Sequence, residues 1–150
     1  MMKYLAFLIP FIFSTAHGLE LKGLTQMDGT PAKIDTAKAK LLVVFWATWC
    51  DECRAKLRTG LPEINSRKDV GVITVNTDKD EGRAKEFIAK ENVALPVLRD
   101  PNKELRKELK VFSVPHWAVF KKNKDGNYEL VKSEPAFDFD HVTQALGGGS

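Results

Sequence analysis

The chain has 150 residues, of which 43% are apolar and 29% charged, and a net charge of +3. That length suits one domain with an ordinary core, and the balance excludes a disordered chain. The charge is small, falls to +2 if the single charge of Lys3 leaves with a leader, and its lysines are scattered, which excludes nucleic acid as an expected partner.

In chain order, residues 1–18 read as a secretory leader. Lys3 supplies the positive start, residues 4–13 an unbroken apolar core, and Ala16 and Gly18 the small residues before a cut after Gly18. The apolar run is too short to span a bilayer, and no cysteine follows it to carry a lipid. Export to the periplasm or beyond is expected, with no membrane attachment apart from the leader. The folded domain is expected over residues 19–146, with 147–150 (Gly-Gly-Gly-Ser) a flexible tail.

Residues 19–34 alternate in polarity around Asp28-Gly29, a turn signal, and predict a β-hairpin. Residues 41–47 are a continuous apolar run, which suits a strand covered on both faces. Cys50 and Cys53 follow at once. Leu57, Leu61 and Ile64 then recur at helical spacing, and Pro62 predicts a kink. Residues 70–76 read as a strand, 80–91 as an amphipathic helix and 93–98 as a third apolar strand. Asp100-Pro101 predicts a further helix, with Asp100 as its N-cap, Pro101 at its first position, and Leu105 and Leu109 inward. Val114-Pro115 precedes an apolar strand over 117–120. Asp125-Gly126 marks a turn into an edge strand over 128–131, and residues 138–146 close the chain as a helix with Phe139, Val142 and Leu146 inward. Strands alternating with helices imply a mostly parallel central sheet.

The chemistry centres on the strand–turn–helix around Cys50. The first turn of a helix carries unpaired N–H groups and the positive end of its dipole, so a thiolate placed there is stabilised. Cys53 stands one turn on, near enough to form a disulfide with Cys50, and such a pair can shuttle between dithiol and disulfide. A structural zinc site would need further ligands, and no second C-x-x-C or paired histidine motif is present. A purely structural staple over so short a loop would stabilise little.

At Trp46-Ala47-Thr48-Trp49-Cys50-Asp51-Glu52-Cys53 the chain resembles the thioredoxin superfamily, most closely its exported TlpA/ResA-type members. The helix and strand between Asn76 and Asp100 resemble that group's central insertion, as does the run from Leu95-Pro96-Val97-Leu98 to Val114-Pro115. The resemblance implies an α/β thioredoxin-like fold: a central mixed sheet flanked by helices, with an N-terminal β-hairpin and a central helix–strand insertion. It also implies a cis Val114–Pro115 bond facing the disulfide. The Val114 backbone would then meet an incoming peptide as a short β-like partner, and Trp49 would form the rim of the docking patch.

The activity so implied is thiol–disulfide exchange. Cys50 forms the mixed disulfide and Cys53 resolves it, with no metal or organic cofactor. The partners are protein thiols or disulfides, apocytochrome c among the candidates, and an upstream electron donor; a monomer suffices. Asp51 and Glu52 disfavour the Cys50 thiolate, which favours a reductant, with Arg54 in partial opposition. Two readings stand beside this one: a Cu(I)-handling module, with His116 as the third ligand, and a binding module whose disulfide is only structural. The chain departs from the family in one respect. Val44 stands where thioredoxins carry a buried acid, and Lys56 where TlpA/ResA-type proteins often carry a glutamate. Lys56 is therefore expected to assist resolution electrostatically, or solvent to take the proton.

Overall fold

The computed structural model describes residues 21–147. The leader expected over residues 1–18 lies outside the described residues. Within them the chain runs β1 (Thr25–Gln26), β2 (Lys40–Trp46), α1 (Asp51–Arg58), α2 (Leu61–Asn65), β3 (Val70–Asn76), α3 (Glu81–Lys90), β4 (Val97–Arg99), α4 (Glu104–Glu108), β5 (His116–Lys122), β6 (Tyr128–Pro135) and α5 (Phe139–Ala145).

The strands form one six-stranded mixed sheet in the order β1-β4-β3-β2-β5-β6. β2, β3 and β4 are parallel, whereas β5 and β6 continue antiparallel. β2 lies between β3 and β5, which explains its unbroken apolar sequence: residues 41–46 are covered by helices on one face and by helix and loop on the other. Leu42, Val44 and Trp46 meet Leu57 of α1, Leu61 and Ile64 of α2, and Val142 of α5. Leu41, Val43 and Phe45 meet Leu105 of α4, Leu24 and Tyr128. Each of these aromatic and aliphatic side chains, fully buried, is worth about 1.5–3 kcal/mol. The reading of a mixed sheet flanked by helices is thereby realised.

Several local expectations change. The N-terminal hairpin is short: Thr25 bridges Pro31, with the Gln26 N–H on the Thr30 carbonyl and the Ala32 N–H on the Leu24 carbonyl, while the other edge of β1 pairs with β4. The third strand is short, starting at Val97 rather than 93. The Pro62 kink is a full break: Thr59 is extended, Gly60 turns with φ +78°, and α2 starts afresh. Pro62 then falls in the first turn of α2, where its missing N–H costs nothing. Asp100 caps from farther away than expected, its carboxylate accepting from the N–H groups of Glu104 and Arg106 at 3.0 and 2.9 Å, so α4 begins three residues past Pro101. Phe139 is 40% exposed and Phe137 takes the inward place. Gly147 is no part of a loose tail: with φ +78° it terminates α5, its N–H reaching the Gln144 carbonyl.

Candidate active site

β2 ends at Trp46 and the chain turns through Ala47-Thr48-Trp49 into α1, so the sheet delivers Cys50 to the mouth of that helix. Cys50 is the N-cap of α1, and its Sγ accepts the N–H of Cys53 at 3.2 Å. The sulfur thus already occupies the place where the helix offers hydrogen bonds and positive potential to an anion. Cys50 and Cys53 are joined by a disulfide, their Cα atoms 5.2 Å apart. Cys50 keeps 7% of its surface and Cys53 2%, so attack from outside reaches Cys50 first.

Around the pair the surroundings are apolar. Val44, Leu57, Trp117 and Phe137 share its cluster, and Val114 packs against it. Val114–Pro115 is cis, as the resemblance implied. Val114 stands just before the first paired residue of β5, outside the sheet ladder. Trp49 is 68% exposed, a rim residue, whereas Trp46 is buried with its indole N–H on Thr74 at 3.1 Å. Trp49 and Val114 line one open groove of about 440 Å³, to which Phe112, 88% exposed, also contributes. The structure therefore brings Val114 to the apolar cluster of Cys50 and Cys53 and sets it in one groove with Trp49, with Pro115 following Val114 through the cis bond.

It does not bring His116 to them. The His116 ring lies on the other face of the sheet, edge-on to Phe45, with Nε2 and the Ser133 hydroxyl 2.7 Å apart. Burial pushes its pKa down. Among the described residues no group of three His, Cys, Asp or Glu side chains could hold a metal ion. On α1, Asp51 is ion-paired with Arg54, and Lys56 stacks its ammonium over the Phe137 ring, 5.4 Å from the centroid.

One part of the site escaped the sequence reading. Asp78 is buried, and its carboxylate accepts from the Thr48 N–H at 2.9 Å, the Thr48 hydroxyl at 2.8 Å and the Asn76 amide at 2.7 Å. Asn76 Oδ1 in turn accepts from Arg99 Nη1 and from the Asp78 N–H, both at 3.1 Å. This network ties the turn carrying Trp49 and Cys50 to the end of β3. A signal was available: Asn76-Thr77-Asp78 is a polar run following an apolar strand, at the carboxyl end of a parallel sheet, where sites gather.

Comparison with known proteins agrees with this geometry. The Redoxin family model matches residues 14–145. The sporulation thiol-disulfide oxidoreductase A of Bacillus subtilis is 26% identical over 121 residues, which cover 75% of this chain and 70% of that protein. The thiol-disulfide oxidoreductase ResA of Oceanobacillus iheyensis is 28% identical over 112 residues, covering 72% of this chain and 58% of that one. Among solved structures, the exposed lipoprotein thioredoxin of Streptococcus pneumoniae superposes with a TM-score of 0.66 at 30% identity, covering 82% of this chain and 95% of its own.

Proposed function

Because the chain belongs to the Redoxin family, we propose that this thiol–disulfide oxidoreductase of the ResA type acts as an exported reductant of protein disulfides. The observation that carries the reading is the Cys50–Cys53 disulfide at the mouth of α1, with Cys50 as N-cap and the exposed Trp49 beside it.

In the reduced protein the Cys50 thiolate attacks one sulfur of a partner disulfide. A bond forms between the two sulfurs, and the partner's other sulfur leaves as a thiolate that takes a proton. Cys53 then loses its own proton and attacks Cys50 Sγ. This closes the Cys50–Cys53 disulfide and releases the partner's second thiol. Two electrons pass to the partner, and an upstream dithiol donor must return them. The helix mouth serves the first step, because it stabilises the attacking Cys50 thiolate; in the second step Cys50 Sγ is the electrophile and the partner's sulfur carries the leaving charge. An apocytochrome c with oxidised haem-attachment cysteines is one substrate of this type.

The direction rests on charge. The side chains of Asp51 and Glu52 are exposed beside Cys50 and disfavour its thiolate, and with it the reduced form of a strong oxidant. Arg54 pairs with Asp51, leaving Glu52 as the standing negative charge. Residues 1–18 act as a cleaved leader in this reading, so the pair works outside the cytoplasm. No helix among the described residues is long and apolar enough to cross a membrane.

The test is equilibration with glutathione, read by thiol alkylation, alongside insulin reduction. The reading predicts a potential near that of the reducing oxidoreductases and precipitation of insulin chains. A potential as oxidising as about −120 mV would reverse the direction. No insulin reduction at all would favour a merely structural disulfide.

A further inference from the structure

The groove beside the disulfide carries a charge that thiol chemistry does not require. Besides Trp49 it is lined by Lys79, Arg83 and Arg106. None of these three side chains makes an ion pair among the described residues, whereas nearby Arg99 is paired with Glu81. The groove also contains two carboxylates, and both are occupied. Asp78 is bound by Thr48 and Asn76, and Asp80 caps α3 by accepting the Arg83 N–H at 3.2 Å. These neutral donors leave both carboxylates charged, so the lining sets three cations against two carboxylates, and the three cations stay free to pair with a ligand in the open groove. The same groove is lined by two large exposed aromatic side chains, Trp49 and Phe112.

We propose that this groove selects an acidic polypeptide segment flanking the partner's reactive cysteine, with an apolar side chain seated between Trp49 and Phe112. The proposal rests on the oxidoreductase reading and names the class of partner it serves. The charge pattern also fixes direction. Glu52 and Asp51 stand on the α1 side of Cys50 and Lys79, Arg83 and Arg106 on the side of α3 and α4, so the acidic residues run from the target cysteine toward Arg83 and away from Glu52. Pairs at such a rim act mainly on the rate of encounter and are screened by salt.

The experiment uses two synthetic peptides, each closed by one intramolecular disulfide and containing one phenylalanine, that differ only in glutamate or lysine flanks. Reduced protein is mixed with each in a stopped-flow instrument, and each rate is divided by that peptide's rate with dithiothreitol. At low salt the glutamate peptide is expected to react roughly tenfold faster. At about 0.5 M salt the preference should largely vanish. In a Lys79→Glu, Arg83→Glu, Arg106→Glu variant it should reverse. Equal rates for both peptides, or a glutamate preference that survives salt and the triple substitution, would overturn the proposal. The small neutral 2-hydroxyethyl disulfide separates the two levels of the argument. A wild-type protein that reacts with it but ignores peptide charge refutes the groove alone. One that reacts with neither it nor the peptides refutes the oxidoreductase reading and the groove with it.

Discussion

Removing the Asp78 carboxylate is the sharpest test of how the turn before Cys50 is held. Asp78→Ala deletes three hydrogen-bond acceptor contacts at once and leaves the Thr48 N–H, the Thr48 hydroxyl and the Asn76 amide buried without that partner. Each orphaned group costs about 1–3 kcal/mol. The substitution also relieves the cost of burying a carboxylate, which offsets part of the sum. A net loss of about 3 kcal/mol is expected, or roughly 10 °C in Tm for a domain of this size. Asp78→Asn should recover little of it. Its Oδ1 can still accept from Thr48, but its NH2 meets the NH2 of Asn76, and flipping Asn76 would sacrifice the bonds from Arg99 and from the residue 78 N–H. Urea unfolding of the oxidised proteins, followed by tryptophan fluorescence, measures the loss. Disulfide exchange should slow about tenfold as well, because the same bonds fix the backbone leading to Cys50. An Asp78→Ala protein within about 0.5 kcal/mol of the parent would refute the reasoning, since that is the range of an ordinary surface substitution.

Two further outcomes follow from the same geometry. Lys56 lies over Phe137, a member of the apolar cluster that holds Cys53. Lys56→Ala should slow resolution of the mixed disulfide and move its midpoint to higher pH, whereas Lys56→Glu should supply a general base; stopped-flow rates that coincide at every pH would make Lys56 a bystander. His116 is held below the ordinary imidazole value of 6.5 by burial, so the unfolded chain takes a proton first as pH falls. The stability this gives is therefore full above 6.5 and is lost as pH falls toward the folded value. The depressed carboxylates of Asp69 and Glu134 act only below their ordinary 3.8 and 4.5. His116→Gln should thus flatten the fall in unfolding free energy between about pH 7.5 and 5, and an unchanged slope would contradict the assignment.

The parts legible in the sequence are those set by local pattern. A run such as Leu41-Leu42-Val43-Val44-Phe45 declares a strand buried on both faces, and it is the central one. The C-x-x-C at its end declares the redox pair, and Leu105 and Leu109 mark a buried stripe. What stayed hidden depends on partners distant in sequence. Thr25 pairs with Arg99 across the sheet edge, which no local alternation announces. Asp78 meets Thr48 thirty residues away, and only the polar run after β3 hinted at it. Phe139 and Phe137 exchange roles because Ala136, at φ +61°, turns the chain before α5. His116 was drawn toward the site by its place after Pro115, yet the alternation of β5 sends its ring to the far face beside Phe45.

The central claim is that Cys50 is the sulfur that meets the partner and Cys53 the one that releases it. Cys53→Ser and Cys50→Ser proteins, each expressed in the source organism and recovered after acid quench and alkylation, test it directly. The account predicts that Cys53→Ser accumulates mixed disulfides with partner proteins, seen as reducible high-mass bands, and that Cys50→Ser accumulates none. Bands with Cys50→Ser and none with Cys53→Ser would contradict it.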